Sequence, residues 1–328
     1  MRVLQAMLMA NAGTASSYGA DSESAQLNRL LSDMFGREVA CLPVLSGTAA
    51  NALALSITCS PIASVLCHAE AHIARDERGA PEFFTGGGKL TPLDSPHARL
   101  TLGGVQSVLA RQDRSFVHAT PFDVLSLTNL TEYGTAYRAA EIAELAGLAH
   151  RHGLSVHLDG ARLANALAFT GESVADVSVK AGVDVLCLGL TKTGAAGCEV
   201  IVLFDEMRER LPELLARAKR AGHLPPKMRF LSAQANALLE DGLWLELAST
   251  ANARAQALAT VLSAVPDVIL AQPCEGNEVF VRLPAPLIRK LKTAGAQFYE
   301  WHDGSCRFVC AWSTPEASID RLEAVCRA

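Results

Sequence analysis

Apolar positions along this chain follow two alternating rhythms. Ser64–His68, Val124–Thr128, Ser155–Asp159, Asp184–Leu190 and Val200–Phe204 are short apolar runs, several lacking strict polar alternation, and they predict strands covered on both faces. Between them, Ala25–Phe35, Gly47–Ser56, Ala139–His152 and Ala161–Thr170 read as helices. That alternation is the grammar of an α/β fold on a mostly parallel sheet. A break at Pro225–Pro226 leads into a helix over roughly Met228–Val265, and then the grammar changes. Val268–Leu270, Glu278–Leu283, Gln297–His302 and Arg307–Trp312 predict strands of a smaller α+β layer, covered by helices over Pro286–Ala294 and Pro315–Arg327. The expected division is a large domain over 1–235 and a smaller one over 236–328. The opening MRVLQAMLMAN places Val3, Leu4, Met7 and Leu8 at helical spacing; it is too short for a membrane span and has no cleavage-site pattern.

Composition narrows the class. Half of the 328 residues are hydrophobic and 19% are charged, enough for a large core. A net charge of −5 without like-charge runs speaks against a nucleic-acid stripe or a polybasic membrane surface. Nine cysteines without a C-x-x-C pair read as reduced thiols, and so as a cytoplasmic protein.

Candidate chemistry gathers where apolar runs end, because open α/β sheets bind ligands at the carboxyl ends of their strands. Lys192, one of seven lysines, follows DVLCLGL and is flanked by Gly189 and Gly194. A lysine there is either a turn residue or an amine of lowered pKa able to form a Schiff base with a carbonyl cofactor. Asp159 ends SVHLD: it either caps the next helix or pairs with a cation, and a pyridinium nitrogen is one such cation. A metal reading of His157 with Asp159 lacks a third ligand. Ser46-Gly47-Thr48 opens a helix and is either a capped turn or a phosphate cup. Gly86-Gly87-Gly88-Lys89 lacks P-loop spacing and reads as a turn. His72, beyond the strand ending at His68, is by pattern a structural histidine, with stacking on a planar cofactor as the alternative.

Taken together, the chain resembles the low-specificity threonine aldolases, within the aromatic amino-acid β-eliminating lyase and threonine aldolase family. The segments that carry the resemblance, in order, are YGADSESAQLNRL, LSGTAANALAL, CHAEAHI, LTNLTEYGTAY, HLDGARLANAL, GLTKTGA, KMRFLSAQ and CRFVCAW. DGAR followed by TK at a strand end is the most specific pair. The resemblance implies a pyridoxal 5'-phosphate enzyme of the aminotransferase-type fold (fold type I), a carbon–carbon lyase of the aldehyde-lyase kind. It implies that Lys192 binds the cofactor covalently, Asp159 pairs with its ring nitrogen, and His72 stacks on the ring. Ser46, Gly47 and Thr48 would cradle the phosphate. Arg229 would reach the cofactor phosphate of a neighbouring subunit, making a homodimer or homotetramer with shared active sites. Arg162, also beside the cofactor, and Arg307 would clamp the substrate carboxylate.

The implied reaction takes the β-hydroxyl proton of L-threonine or L-allo-threonine, breaks Cα–Cβ, and leaves glycine and acetaldehyde. Phenylserine cleavage, β-elimination or racemisation on the same scaffold is the nearest alternative. A non-catalytic cofactor-binding relative is a further one, which Lys192, Asp159, His72 and both arginines argue against. His72 or a water beside it is the expected base. By the same resemblance Thr131 would fall near the β-hydroxyl, where some relatives carry histidine. Relatives also carry a Phe-x-Ser-Asp segment whose serine contacts the substrate carboxylate; here the chain starts at Met1 within a helix, so that contact is expected to be missing.

Overall fold

The computed structural model describes residues 2–327. Strands β1 (Ala40–Val44), β2 (Ser64–His68), β3 (Lys89–Leu93), β4 (Phe122–Thr128), β5 (Ser155–Gly160), β6 (Val185–Gly189) and β7 (Glu199–Leu203) form one sheet in the order β1-β7-β6-β5-β4-β2-β3. All neighbours pair in parallel except β7, which runs antiparallel to both β1 and β6. β2, β6 and β7 are buried along their whole length, as their unbroken apolar runs require. Helix α3 (Gly47–Thr58) is buried over Ala49–Ile57 and accordingly carries alanine and leucine on all sides.

Two strands escaped the sequence reading, and both lie at the sheet edges. β1 contains Pro43 and β3 contains Pro92, residues that cannot donate to a ladder and therefore demote a run in a pattern analysis. The glycines before Lys89 do form a turn, with Gly86 and Gly87 at φ 81° and 116°.

The opening helix α1 (Arg2–Ala10) is present, with Met1 outside the described residues. Val3 and Ala10 are its buried positions, whereas Leu4 and Leu8 face outward at 59% and 75% exposure. The expected helix over Met228–Val265 is two helices, Arg229–Leu239 and Leu243–Ser263. Asp241 and Gly242 between them take φ of 58° and 71°, a left-handed corner that the Asp-Gly pair tolerates.

The second sheet is antiparallel, in the order β10-β11-β9-β8, from β8 (Ile269–Leu270), β9 (Glu278–Arg282), β10 (Tyr299–Glu300) and β11 (Cys306–Val309). The outer two are shorter than the apolar pattern predicts. After β10 the chain turns at once, with Trp301 N–H donating to the Ser305 carbonyl at 2.7 Å. Leu258, Leu262, Val279, Val281, Leu291 and Phe308 belong to this layer's own core.

One close approach brings the carboxyl ends of β5 and β6 together. A Cβ on Gly189 would lie 2.5 Å from Ala161 Cα, nearer than any side chain fits. Gly189→Ala is expected to destabilise the fold by about 2–4 kcal/mol. Urea denaturation checks this, and a loss under 1 kcal/mol would show that the two strand ends have slack.

Candidate active site

The carboxyl ends of β5 and β6 and the amino end of α3 enclose a cavity of about 270 Å³. Ser46, Gly47 and Thr48 line one part of it, Asp159 and Ala161 another, and His72 and Lys192 also open onto it. Six residues singled out from sequence thus meet in one place.

Each is held by local geometry. Ser46 is extended, at φ −148°, and its hydroxyl accepts from Ala49 N–H at 3.3 Å, capping α3. A Cβ on Gly47 would meet nothing within 4 Å, so an incoming group can approach the backbone of this first turn closely. First-turn N–H groups and the helix dipole favour an anion there.

Asp159 is 3% exposed at the end of β5. Its Oδ1 accepts from Ala161 N–H at 2.9 Å and its Oδ2 from Asn51 Nδ2 at 2.8 Å. Among the described residues no cation stands within ion-pair distance of it. Buried carboxylates are costly without a cation, so Asp159 is set to receive one. His157, two residues earlier, contacts Ser126 Oγ at 2.9 Å and Cys187 Sγ at 3.3 Å, and burial lowers its pKa to about 4. It is a neutral packing group, and the described residues include no cluster fit to hold a metal ion.

Lys192 lies in the 3₁₀ turn Thr191–Thr193 directly after β6. Burial lowers its pKa, Arg162 lowers it further, and Glu132, Asp159 and Glu278 pull it back. Leu190 N–H donates to Glu199 Oε2 at 2.8 Å, which ties the lysine turn to β7.

His72 begins a short helix after β2, with its side chain 30% exposed. Its Nδ1 meets Glu77 Oε1 at 2.8 Å, and the same oxygen accepts from Asn51 Nδ2 at 2.8 Å. A continuous chain, His72–Glu77–Asn51–Asp159, therefore links the imidazole to the strand-end carboxylate. The bond to Glu77 raises the His72 pKa, burial opposes it, and the negative charges of Glu132, Glu77 and Asp159 add to the rise. A raised histidine pKa stabilises the fold fully below the unfolded value of about 6.5, and the contribution is lost as pH rises through the folded value. Glu77→Gln is expected to lower the His72 pKa, measured by NMR titration of the imidazole; an unmoved midpoint would deny Glu77 this influence.

The two expected carboxylate-binding arginines converge outside the cavity lining, on Glu278. Arg162 Nη2 lies 3.1 Å from Glu278 Oε1, and Arg307 reaches the same oxygen through Nε at 2.9 Å and through Nη2. Thr131 is fully buried, and its hydroxyl is taken up by Thr135 Oγ1 at 2.8 Å and the His97 carbonyl at 3.3 Å. Arg229 is half-buried at the start of its helix, over the Phe230 ring at 5.3 Å, and does not line this cavity.

Sequence reasoning missed Asn51, Glu77, Glu132, Glu199 and Glu278. Asn51 had a signal, as the one strongly polar residue inside the apolar helix α3. Glu77 stands five residues after His72, a spacing with no helical or strand meaning. Glu132 and Glu278 are buried acids whose surroundings come from distant segments, and no local pattern marks them.

A family model described as beta-eliminating lyase matches residues 1–285. The low specificity L-threonine aldolase of Pseudomonas sp. (strain NCIMB 10558) is 41% identical over 325 residues, 98% of this chain and 92% of that protein. The low specificity L-threonine aldolase of Pseudomonas aeruginosa is 40% identical over 324 residues, 98% of this chain and 91% of that protein. Among solved structures, Leishmania major threonine aldolase matches with a TM-score of 0.91 at 28% identity, covering 99% of this chain and 95% of that one.

Proposed function

Because the chain belongs to the beta-eliminating lyase family, we propose that it is a pyridoxal-phosphate-dependent carbon–carbon lyase cleaving L-threonine and L-allo-threonine to glycine and acetaldehyde. The observation that carries this reading is the opening of Lys192, Asp159, His72 and the capped end of α3 onto one cavity. These residues fit the cofactor by their chemistry: a helix end for the phosphate, an unpaired buried carboxylate for the ring nitrogen, and a lysine of lowered pKa for the carbonyl. When bound, pyridoxal phosphate supplies that carbonyl and a cationic ring that withdraws electrons from the bond to be broken.

The chain's own residues do the rest. Ser46, Gly47 and Thr48 hold the phosphate, and Asp159 keeps the ring nitrogen protonated. Asn51 fixes Asp159 Oδ2. Arg162 and Arg307 receive the substrate carboxylate and so orient the Cα–Cβ bond. His72, held by Glu77, takes the β-hydroxyl proton itself or through an adjacent water. Thr131, its hydroxyl bound to Thr135, borders the hydroxyl end of the substrate. Arg229 serves the phosphate of a neighbouring subunit, in a homodimer or homotetramer. We place the enzyme in the cytoplasm, in keeping with nine free cysteines.

The test is spectroscopic and catalytic together. Purified protein with pyridoxal phosphate is expected to develop a visible absorbance band that changes on adding L-threonine, with release of aldehyde. A band without aldehyde from L-threonine, L-allo-threonine or their D-isomers would refute the aldolase reading.

A further inference from the structure

We propose that Glu278 is a specificity-determining residue: it cancels one of the two guanidinium charges at the carboxylate site, so that the site favours amino acids with one carboxylate over those with two. The inference rests on the assignment of Arg162 and Arg307 to the substrate carboxylate.

The geometry is that of an internal carboxylate occupying the site. Glu278 opens β9, and its side chain is wholly buried, while those of Arg162 and Arg307 are 9% and 12% exposed. A single oxygen, Oε1, serves both guanidinium groups, whereas Oε2 is buried without a partner among the described residues, as is Arg162 Nε. Two forks sharing one oxygen leave donor capacity for another carboxylate. The carboxylate is also sterically fixed. Gly134, at φ 73°, closes the turn from Thr131 over it, and a Cβ there would lie 3.2 Å from Glu278 Cβ.

The charge count then sets the preference. Two guanidinium groups and the Glu278 carboxylate leave one positive charge, which a single substrate carboxylate balances. The other acid beside this group is Glu132, buried on the same turn and without a hydrogen-bond or ion-pair partner among the described residues. Burial raises its pKa, Arg162 lowers it, and the Glu278 charge raises it again. Glu132 has no hydrogen bond or ion pair to either guanidinium, whereas Glu278 binds both directly, so Glu278 is the carboxylate that occupies the arginine pair. A second substrate carboxylate would enter a low-dielectric site with no charge left to meet it. With Glu278 neutral, that charge would be available.

The experiment compares L-aspartate with L-asparagine, which match in shape and differ in side-chain charge, by titrating each into the cofactor-loaded enzyme and following visible absorbance. Wild type is expected to bind asparagine at least about tenfold more tightly than aspartate. Glu278→Gln is expected to reduce that ratio about tenfold, and Glu278→Asp, which keeps the charge, to preserve it. A purely structural Glu278 would weaken both ligands alike, so an unchanged ratio in Glu278→Gln overturns the proposal. Should that variant fail to hold the cofactor, the wild-type ratio decides, since a value near one is equally fatal. Absence of any spectral response to glycine in wild type would instead strike the aldolase reading and this inference with it.

Discussion

Lys192→Ala is expected to reduce aldehyde release by about 10⁴-fold or more, because the proposed reaction assigns the covalent step to this residue. Among the described residues it is the one lysine lining the cavity. Burial and Arg162 disfavour the charged form of its amine, which raises the nucleophilic share at any given pH. Borohydride treatment of the wild-type holoenzyme is expected to fix the cofactor to the chain as a secondary amine, adding the cofactor's mass less one oxygen, and Lys192→Ala to show no such addition. A variant that still gained the mass would remove Lys192 from the chemistry. The fold provides an independent check. A basic group whose folded pKa lies below its unfolded value penalises the fold fully below the folded pKa, and the penalty vanishes above about 10.5. Without added cofactor, Lys192→Ala should therefore unfold at no lower a urea concentration than wild type at neutral pH.

Why Lys192 and Asp159 were legible while their supports were not is a matter of range. Both stand where a buried apolar run meets a charged residue and a glycine, and the strand that places them is the sequence signal itself. His72 and the Ser46–Thr48 turn likewise follow β2 and β1 directly. Glu278 becomes a partner of Arg162 only because β9 of the second sheet is brought against the end of β5, across 116 residues of chain. In a short strand reading EVFVR, its acid looks like a solvent-facing end. Edge strands failed for another reason. Pro43 and Pro92 are tolerated because they lie at the sheet margins, and strand order is not written in any single segment. The helix expected over Met228–Val265 divides because the Asp241-Gly242 corner interrupts a pattern whose apolar spacing continues beyond it.

Asp159→Asn is expected to lower kcat about 10²–10³-fold with the fold retained, the scale found when a preorganised charge or donor is removed from an active site. The change is nearly isosteric, so its effects come from charge and donor count. Asp159 now accepts from two donors, Ala161 N–H and Asn51 Nδ2, and an amide has one oxygen for them. Its own NH₂ must face one of those donors, which leaves a buried N–H unsatisfied at a cost of about 1–3 kcal/mol. Under the proposed function the amide would also bring no charge to the cofactor's ring nitrogen and could not hold the proton that makes the ring an electron sink. Two measurements separate these losses. Cofactor affinity reads the broken hydrogen bonds, and kcat at saturating cofactor reads the missing charge. Asn51→Ala supplies the contrast: it removes one donor and keeps the carboxylate, so it should weaken cofactor binding while lowering kcat far less than Asp159→Asn. Activity of Asp159→Asn within about threefold of wild type would mean that the strand-end carboxylate serves only to bind Asn51 and Ala161.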